Sequence, residues 1–255
     1  MIELDKVSKS YTGDGPPAVA STSLRIGHGE FLGLIGESGC GKTTTLKMIN
    51  RLEEPSSGSI RVNGIDVLDQ DPEQLRRNIG YVFQGIGLFP HYSVADNVAA
   101  VPRLLQWSEE RVQARCQETL SMVGLPFEEY GQRSPGQLSG GQQQRVGVAR
   151  ALAAEPDVVL MDEPFGALDP VTRAELQEEF KTIQAQLKLT VIMVTHDMTE
   201  ALLMADRIAV MKAGEVLQVG TPYELLNHPT HDYVQQLVDM PKQRADRLEQ
   251  LIQRG

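Results

Sequence analysis

The feature that most constrains this chain is the run Gly36-Glu37-Ser38-Gly39-Cys40-Gly41-Lys42-Thr43. It sits between the continuous apolar stretch Phe31-Leu32-Gly33-Leu34-Ile35 and an apolar segment around Leu46 to Ile49. An apolar run without polar alternation predicts a strand covered on both faces in a parallel sheet. A glycine-rich turn leading from such a strand into a helix is the phosphate-loop arrangement. Its backbone N–H groups and the positive end of the following helix surround phosphates, and its glycines let the backbone approach where a Cβ would collide. Lys42 is suited to the β- and γ-phosphates and the Thr43 hydroxyl to Mg²⁺. Gly36, Glu37, Ser38, Gly39, Cys40, Gly41, Lys42, Thr43 and Thr44 are therefore the candidate nucleotide contacts.

Val158-Val159-Leu160-Met161-Asp162-Glu163 repeats the buried-strand pattern and ends in two adjacent acids. The carboxyl end of such a strand is where open α/β sheets bind ligands. Asp162 is expected to hold Mg²⁺ as the acidic partner of Thr43. Glu163, one residue on, points elsewhere and is placed to orient or deprotonate an attacking water, so the pair predicts hydrolysis as well as binding. Leu138-Ser139-Gly140-Gly141-Gln142 precedes a helix through Arg145, Val146, Val148 and Ala149. A hydroxyl and two glycines there make a second anion-receptive helix start.

Around these motifs the chain reads as an α/β protein. Ile2 and Leu4 alternating with Glu3 and Asp5, Val19 to Ile26, the Asn63-Gly64 hairpin signal and Ile79 to Phe83 give a β-rich first ninety residues. From Ser93 to Ala154 the pattern turns helical. Ser108 caps a helix whose first turn is acidic and whose Val112, Cys116, Leu120 and Val123 share one face, closed by Gly124. Val191 to Val194 is another buried strand, joined to Val158–Met161 by a helix with Leu176, Phe180, Ile183 and Leu187 on one face, which is a parallel crossover unit. Arg207 to Lys212 and Val216 to Val219 are expected to return as antiparallel strands, and Thr221-Pro222-Tyr223-Glu224 reads as a capping box. Leu248, Leu251 and Ile252 offer a narrow apolar stripe near the end. The expected division is a core with a β subdomain over 1–92 and 155–235, a helical insertion over 93–154 and a short helical tail over 236–255.

Composition excludes several function classes. With 24 Lys+Arg against 34 Asp+Glu the net charge is −10, which repels nucleic-acid backbones and anionic lipid heads; no nucleic-acid partner is expected, and a membrane contact would run through a protein partner. Two cysteines, Cys40 and Cys116, form no framework, which suits a reducing compartment. His228 and His231 flank Pro229 and read as a solvated loop rather than a metal pair.

Leu138-Ser139-Gly140-Gly141-Gln142, in this order with the phosphate loop and Asp162-Glu163, resembles the signature of the ABC (ATP-binding-cassette) ATPases, and the resemblance covers almost the whole chain. It implies a phosphate-loop NTPase core with an antiparallel β subdomain and an inserted helical signature subdomain. Tyr11 matches the aromatic that stacks on adenine, Gln84 the glutamine linking metal, water and transporter, Ala167-Leu168-Asp169 the loop crossing the dimer seam, and His196 the switch histidine contacting the γ-phosphate. The resemblance further implies that two copies sandwich two ATP molecules, Ser139, Gly140, Gly141 and Gln142 of one chain serving the nucleotide held by its mate.

Leu88-Phe89-Pro90-His91-Tyr92-Ser93 is apolar and aromatic in a loop. It suggests either a partner's pocket or a small satellite core. In ABC importers this region receives the coupling helix of a membrane-spanning permease, itself fed by an external solute-binding protein, on the cytoplasmic side of the inner membrane. With Gly41 to Leu52 its wording is similar to the branch importing glycine betaine, choline or carnitine. Many members of that branch continue into paired CBS domains; this sequence reaches Gly255 with a short helical tail, a departure from that pattern which leaves regulation of that kind, and the branch itself, open. The alternatives are an importer ATPase for another small solute, such as an amino acid, polyamine or anion, and a soluble ABC protein of DNA repair or translation. The latter usually carries coiled coils, tandem cassettes or basic arms, which this sequence lacks. A regulator that does not hydrolyse conflicts with Glu163.

Overall fold

The alternation of Ile2 and Leu4 with charged neighbours produces an edge-solvated antiparallel sheet. Strands β1 (Ile2–Lys9), β2 (Val19–Ile26), β4 (Ser57–Val62) and β5 (Ile65–Asp66) lie in the order β2-β1-β4-β5, and the β4–β5 hairpin turns at Asn63-Gly64. The computed structural model describes residues 2–11, 15–85 and 87–252, the side chains of 244, 245, 248, 249, 251 and 252 excepted. The stripe of Leu248, Leu251 and Ile252 lies outside the described side chains.

The second sheet has six strands in the order β10-β9-β3-β8-β7-β6: β3 (Phe31–Gly36), β6 (Ile79–Val82), β7 (Val158–Asp162), β8 (Thr190–Thr195), β9 (Arg207–Lys212) and β10 (Glu215–Gly220). Its five strands from β9 to β6 are parallel and β10 is an antiparallel edge. The expected antiparallel pair is present, joined at Ala213-Gly214, and on its other side β9 runs parallel beside β3, with Gly33 opposite Ile208 and Ile35 opposite Val210. The reason is burial. Ile208 to Met211 are all buried, the condition of an interior strand, whereas the middle of β10 is half-exposed.

The unalternating apolar runs divide residue by residue between two cores on opposite faces of this sheet. Phe31, Ile35, Val159, Met161, Val191, Met193, Ile208 and Val210 face one core; Leu32, Leu34, Val158, Leu160, Ile192, Val194, Ala209 and Met211 face the other. The second core is closed by the antiparallel sheet and by helix α1 (Lys42–Ile49). Helix α2 (Pro72–Arg77), which the sequence reading did not assign, carries its own signal, since Asp71 caps it and Pro72 opens it.

Helices α3 (Val94–Leu104), α4 (Glu109–Met122), α5 (Phe127–Tyr130) and α6 (Gly140–Leu152) form the inserted layer against the first core, with Ser93 and Ser108 as N-caps. Arg115 joins α4 to the end of α6, donating to the carbonyls of Leu152 (2.8 Å) and Ala153 (3.2 Å) in the last turn, where intrahelical donors run out. The crossover helix α7 (Pro170–Leu187) buries Leu176, Phe180 and Ile183, but Leu187, expected on the same face, is exposed at the helix end. Phe180 meets Phe31 edge-on with centroids 6.2 Å apart, fixing α7 to β3. Helices α8 (Met198–Met204), α9 (Pro222–Asn227) and α10 (Asp232–Ile252) complete the chain. Among the described residues no helix is long and apolar enough to cross a membrane.

Candidate functional site

The site is built at the carboxyl ends of the parallel strands. After β3 the chain turns through 36–41 into α1, and the turn depends on two glycines: a Cβ at Gly36 would collide with the Met211 carbonyl, and one at Gly41, whose φ is +104°, with that of Ala18. The loop is thereby pressed against β9 and β2. The ammonium of Lys42, 6 % exposed, donates to the carbonyls of Gly36 (2.7 Å) and Glu37 (2.9 Å) inside the loop. Glu37, Ser38 and Gly39 are exposed along its rim, Cys40 is buried beneath, and Thr43 and Thr44 are half-buried in the first turn of α1.

The Thr43 hydroxyl donates to Asp162 Oδ1 at 2.9 Å, joining α1 to the end of β7. Asp162 is 6 % exposed. Burial pushes its carboxyl above the usual range, and the neighbouring Glu163 charge adds to this; the Thr43 hydrogen bond and the Lys47 and Lys42 ammonium groups oppose it. Glu163 leaves the strand with φ +44°, a left-handed conformation that costs a non-glycine residue about 1–2 kcal/mol. Its N–H still donates to Val194 O at 3.0 Å, so it is held at the sheet edge. The turned carboxylate receives Gln84 Nε2 at 3.0 Å and lies 3.4 Å from His196 Nδ1. Three strand ends, β6, β7 and β8, thus bring together Gln84, Glu163 and His196. The two adjacent acids face different partners, Asp162 the loop and Glu163 the glutamine and histidine.

The remaining expected residues stand apart from this centre. Ser139 caps α6 in a reciprocal box: its hydroxyl accepts from Gln142 N–H (3.3 Å), and Gln142 Oε1 accepts from Ser139 N–H (2.9 Å). Gln142 also reaches the Tyr130 hydroxyl (3.4 Å). Ser139 and Gly140 are exposed, and a Cβ at Gly141 would meet Thr172 of α7. Asp169 caps α7, accepting from the N–H groups of Val171 (3.2 Å) and Thr172 (3.1 Å); hydrogen bonding from the Thr172 side chain first, and then from these N–H groups, holds its carboxyl below the ordinary range. Tyr11 is 58 % exposed beyond the end of β1, its ring 5.1 Å from the Lys9 ammonium. Within one chain, then, Lys42, Thr43, Asp162, Glu163, Gln84 and His196 gather, while Ser139, Gly140, Gly141, Gln142, Asp169 and Tyr11 border open surface.

Beside the site, a groove of about 370 Å³ runs between the β6 edge and α3, lined by Leu52, Tyr81, Phe83, Phe89, Leu104 and Arg150 among others. Arg150, buried on α6, donates to Gly87 O at 2.8 Å, with its guanidinium 5.8 Å from the rings of both Phe83 and Phe89. The loop answers to both readings of its apolar residues, since Leu88 packs against the main core while Phe89 and Tyr92 remain about half exposed, their rings 5.2 Å apart. His231 Nδ1 accepts the Tyr233 N–H (3.0 Å) at the start of α10, and the His228 carbonyl accepts from Gln218 (3.0 Å).

Sequence reasoning missed Arg173, Asp197 and Glu200, which line a small cavity with Glu163 and His196. Asp197 was legible as the cap before Met198, since it accepts from Thr199 and Glu200 N–H. Arg173 had no local signal; it looks like any solvated arginine in a first helical turn.

Residues 19–166 match the family model described as ABC transporter. The chain is 54 % identical, over its whole length, to the glycine betaine/carnitine/choline transport ATP-binding protein OpuCA of Bacillus subtilis, spanning 68 % of that protein. It is 56 % identical over 93 % of its length to the choline transport ATP-binding protein OpuBA of the same organism, spanning 62 % of it. It is 52 % identical over 92 % of its length to the glycine betaine uptake system ATP-binding protein YehX of Escherichia coli, spanning 76 % of it. The chain therefore spans roughly two thirds of the length of the relatives it matches. Among solved structures it is similar to the dimeric bacterial ABC transporter cassette MJ0796, at 38 % identity and a TM-score of 0.78, covering 87 % of this chain and 99 % of that one. A post-hydrolysis dimer of the same cassette, bound to ADP and Pi, matches at 37 % identity and the same TM-score and coverage.

Proposed function

The chain belongs to the ABC transporter family, and from that premise we propose that it is the ATP-hydrolysing subunit of an importer for a small quaternary amine such as glycine betaine, choline or carnitine. The observation that carries hydrolysis is the divergence of the two acids: Asp162 holds Thr43, while Glu163 is turned toward Gln84 and His196. The solute class is supported by the substrates that the relatives' names state.

On this reading the backbone N–H groups of Gly36 to Thr44 take the phosphates, and Lys42 exchanges loop carbonyls for phosphate oxygens at little cost, because its ammonium is already desolvated in the loop. Tyr11 stacks on the adenine. The Thr43 hydroxyl, the Asp162 carboxylate and the free carboxamide oxygen of Gln84 are hard oxygen donors that suit Mg²⁺. When bound, the metal neutralises charge on the phosphate oxygens. Glu163 orients the attacking water and receives its proton, with Gln84 Nε2 fixing the carboxylate. His196, 64 % exposed at its side chain, is free to reach a γ-phosphate.

Ser139, Gly140, Gly141, Gln142 and Asp169 serve the nucleotide of a second copy. Contacts to a γ-phosphate made only in the closed dimer provide the differential that moves a two-state equilibrium; shifting it from 1:99 to 99:1 takes ~5.5 kcal/mol, within reach of several charge-assisted hydrogen bonds. The groove with Phe83, Phe89 and Leu104 takes the cytoplasmic helix of a permease, which places the subunit peripherally on the cytoplasmic face of the inner membrane. The test is ATP turnover against protein concentration. Specific activity is expected to rise with concentration as dimers form; full turnover that stays constant down to a strictly monomeric solution would refute the shared site. Uptake of labelled choline or glycine betaine by the reconstituted transporter tests the solute class.

A further inference from the structure

Behind the catalytic cluster, one arginine bridges the segment that precedes α7 and the aspartate that caps α8. Asp169 caps α7 and Asp197 caps α8, and Arg173 stands in the first turn of α7. One Arg173 amino group donates to the carbonyls of Leu168 (3.1 Å) and Gly166 (3.4 Å); the other is 3.9 Å from Asp197 Oδ2. Its Nε is buried with no hydrogen-bond partner, so this guanidinium accepts an unsatisfied donor in order to span the two segments. Asp197 in turn receives no slack from its own side: its N–H donates to the Thr195 hydroxyl at 3.0 Å, directly before His196. Glu200, 7 % exposed, closes the cluster through Gln177 Nε2 at 2.8 Å.

From this geometry we infer that Arg173 is a positioning residue, which ties the Gly166–Asp169 segment to the Asp197 turn so that displacement of one is delivered to His196 in the other. The inference rests on the proposed ATPase reading, because it assigns Gly166–Asp169 to the surface that meets a second copy and His196 to the nucleotide. An ion pair at 3.9 Å between side chains about one third exposed contributes little to stability. The fork matters for registration: a planar guanidinium donates in two fixed directions, which an ammonium on a flexible stem does not. Nothing in the arrangement touches the phosphates, so the consequence falls on the rate after binding.

The test is steady-state ATP hydrolysis by R173Q, R173K, D197N and the double variant R173Q/D197N, alongside thermal melting and E163Q as the chemical control. Asparagine remains a good N-cap, so D197N removes the charge and keeps α8 capped. R173Q is expected to lower kcat tenfold or more with KM for ATP within about twofold of the parent. R173K, which keeps the charge without the fork, stays at least threefold below the parent, and the double variant is no slower than R173Q alone. Parent-like kcat in R173Q, or losses that multiply in the double variant, would overturn the bridge. If R173Q does not fold, R173K and D197N decide the matter by the same kcat criterion, parent rates in both refuting it. Absence of any E163Q-sensitive turnover in the parent would instead sink the ATPase reading, which separates the two failures.

Discussion

Gln84 donates its amide to Glu163 Oε2 at 3.0 Å across 79 positions of sequence. This bond ties the loop after β6, which borders the groove, to the residue proposed to activate water. Gln84, next in the chain to the groove-lining Phe83, is therefore one hydrogen bond from the chemical centre.

Because that bond uses a carboxylate oxygen as acceptor, Glu163→Gln preserves it through the new carboxamide oxygen and removes only basicity. Turnover is expected to fall by about 10²–10⁴, with ATP binding retained and an ATP-bound dimer accumulating on size exclusion. A variant that hydrolyses at the parent rate would take Glu163 out of the base role.

Ser139 is exposed and caps α6. Ser139→Arg has room in the free chain and loses only the cap, about 1 kcal/mol. ATP affinity of the monomer, measured by equilibrium binding, should stay within about twofold while hydrolysis is abolished; an unchanged rate would place the signature outside the working pocket.

Asp162 is pushed above the ordinary carboxylate range by burial. The folded chain therefore binds this proton more readily than the unfolded one, so the group's contribution favours folding at low pH and is lost as pH rises through the window above the unfolded value. Asp162→Asn is expected to raise the nucleotide-free melting temperature at pH 7 by roughly 2 °C or more. The gain disappears near pH 3, and Mg²⁺-dependent hydrolysis is lost. Equal melting temperatures at both pH values would show that the buried charge costs nothing.

Phe89 and Tyr92 are about half exposed, and their rings pack against each other. Phe89→Ala and Tyr92→Ala should leave the soluble chain's ATPase within about twofold and its melting temperature nearly unchanged. In the assembled transporter the same changes should cut solute-stimulated turnover at least fivefold. Loss of basal hydrolysis would assign these rings to a satellite core.

Much of this was legible along the chain. The phosphate loop, the Ser108 and Thr221 caps and the Asn63-Gly64 hairpin depend on residues a few positions apart, and their chemistry is local. Where the pattern is ambiguous, structure departs from it for identifiable physical reasons. A short apolar run such as Ile208 to Met211 does not state whether its neighbour runs parallel, and Leu187 falls on the right helical face but is the last residue of α7, where it is exposed. Helix α2 was missed although Asp71-Pro72 announces it.

By itself the sequence determined which groups exist to do chemistry: a glycine loop that only a close backbone approach explains, a lysine and threonine at its end, two acids after a buried strand, and a capped helix start. Tertiary structure alone decided which of them meet. Strand order brings Gln84, Glu163 and His196 together at the carboxyl ends of their strands and leaves Ser139 and Asp169 on open surface, and the packing sets Arg173 beside the cap of α8. Backbone conformation and capping follow from neighbours in sequence, whereas convergence across 79 or 119 positions follows only from the register in which the strands pack.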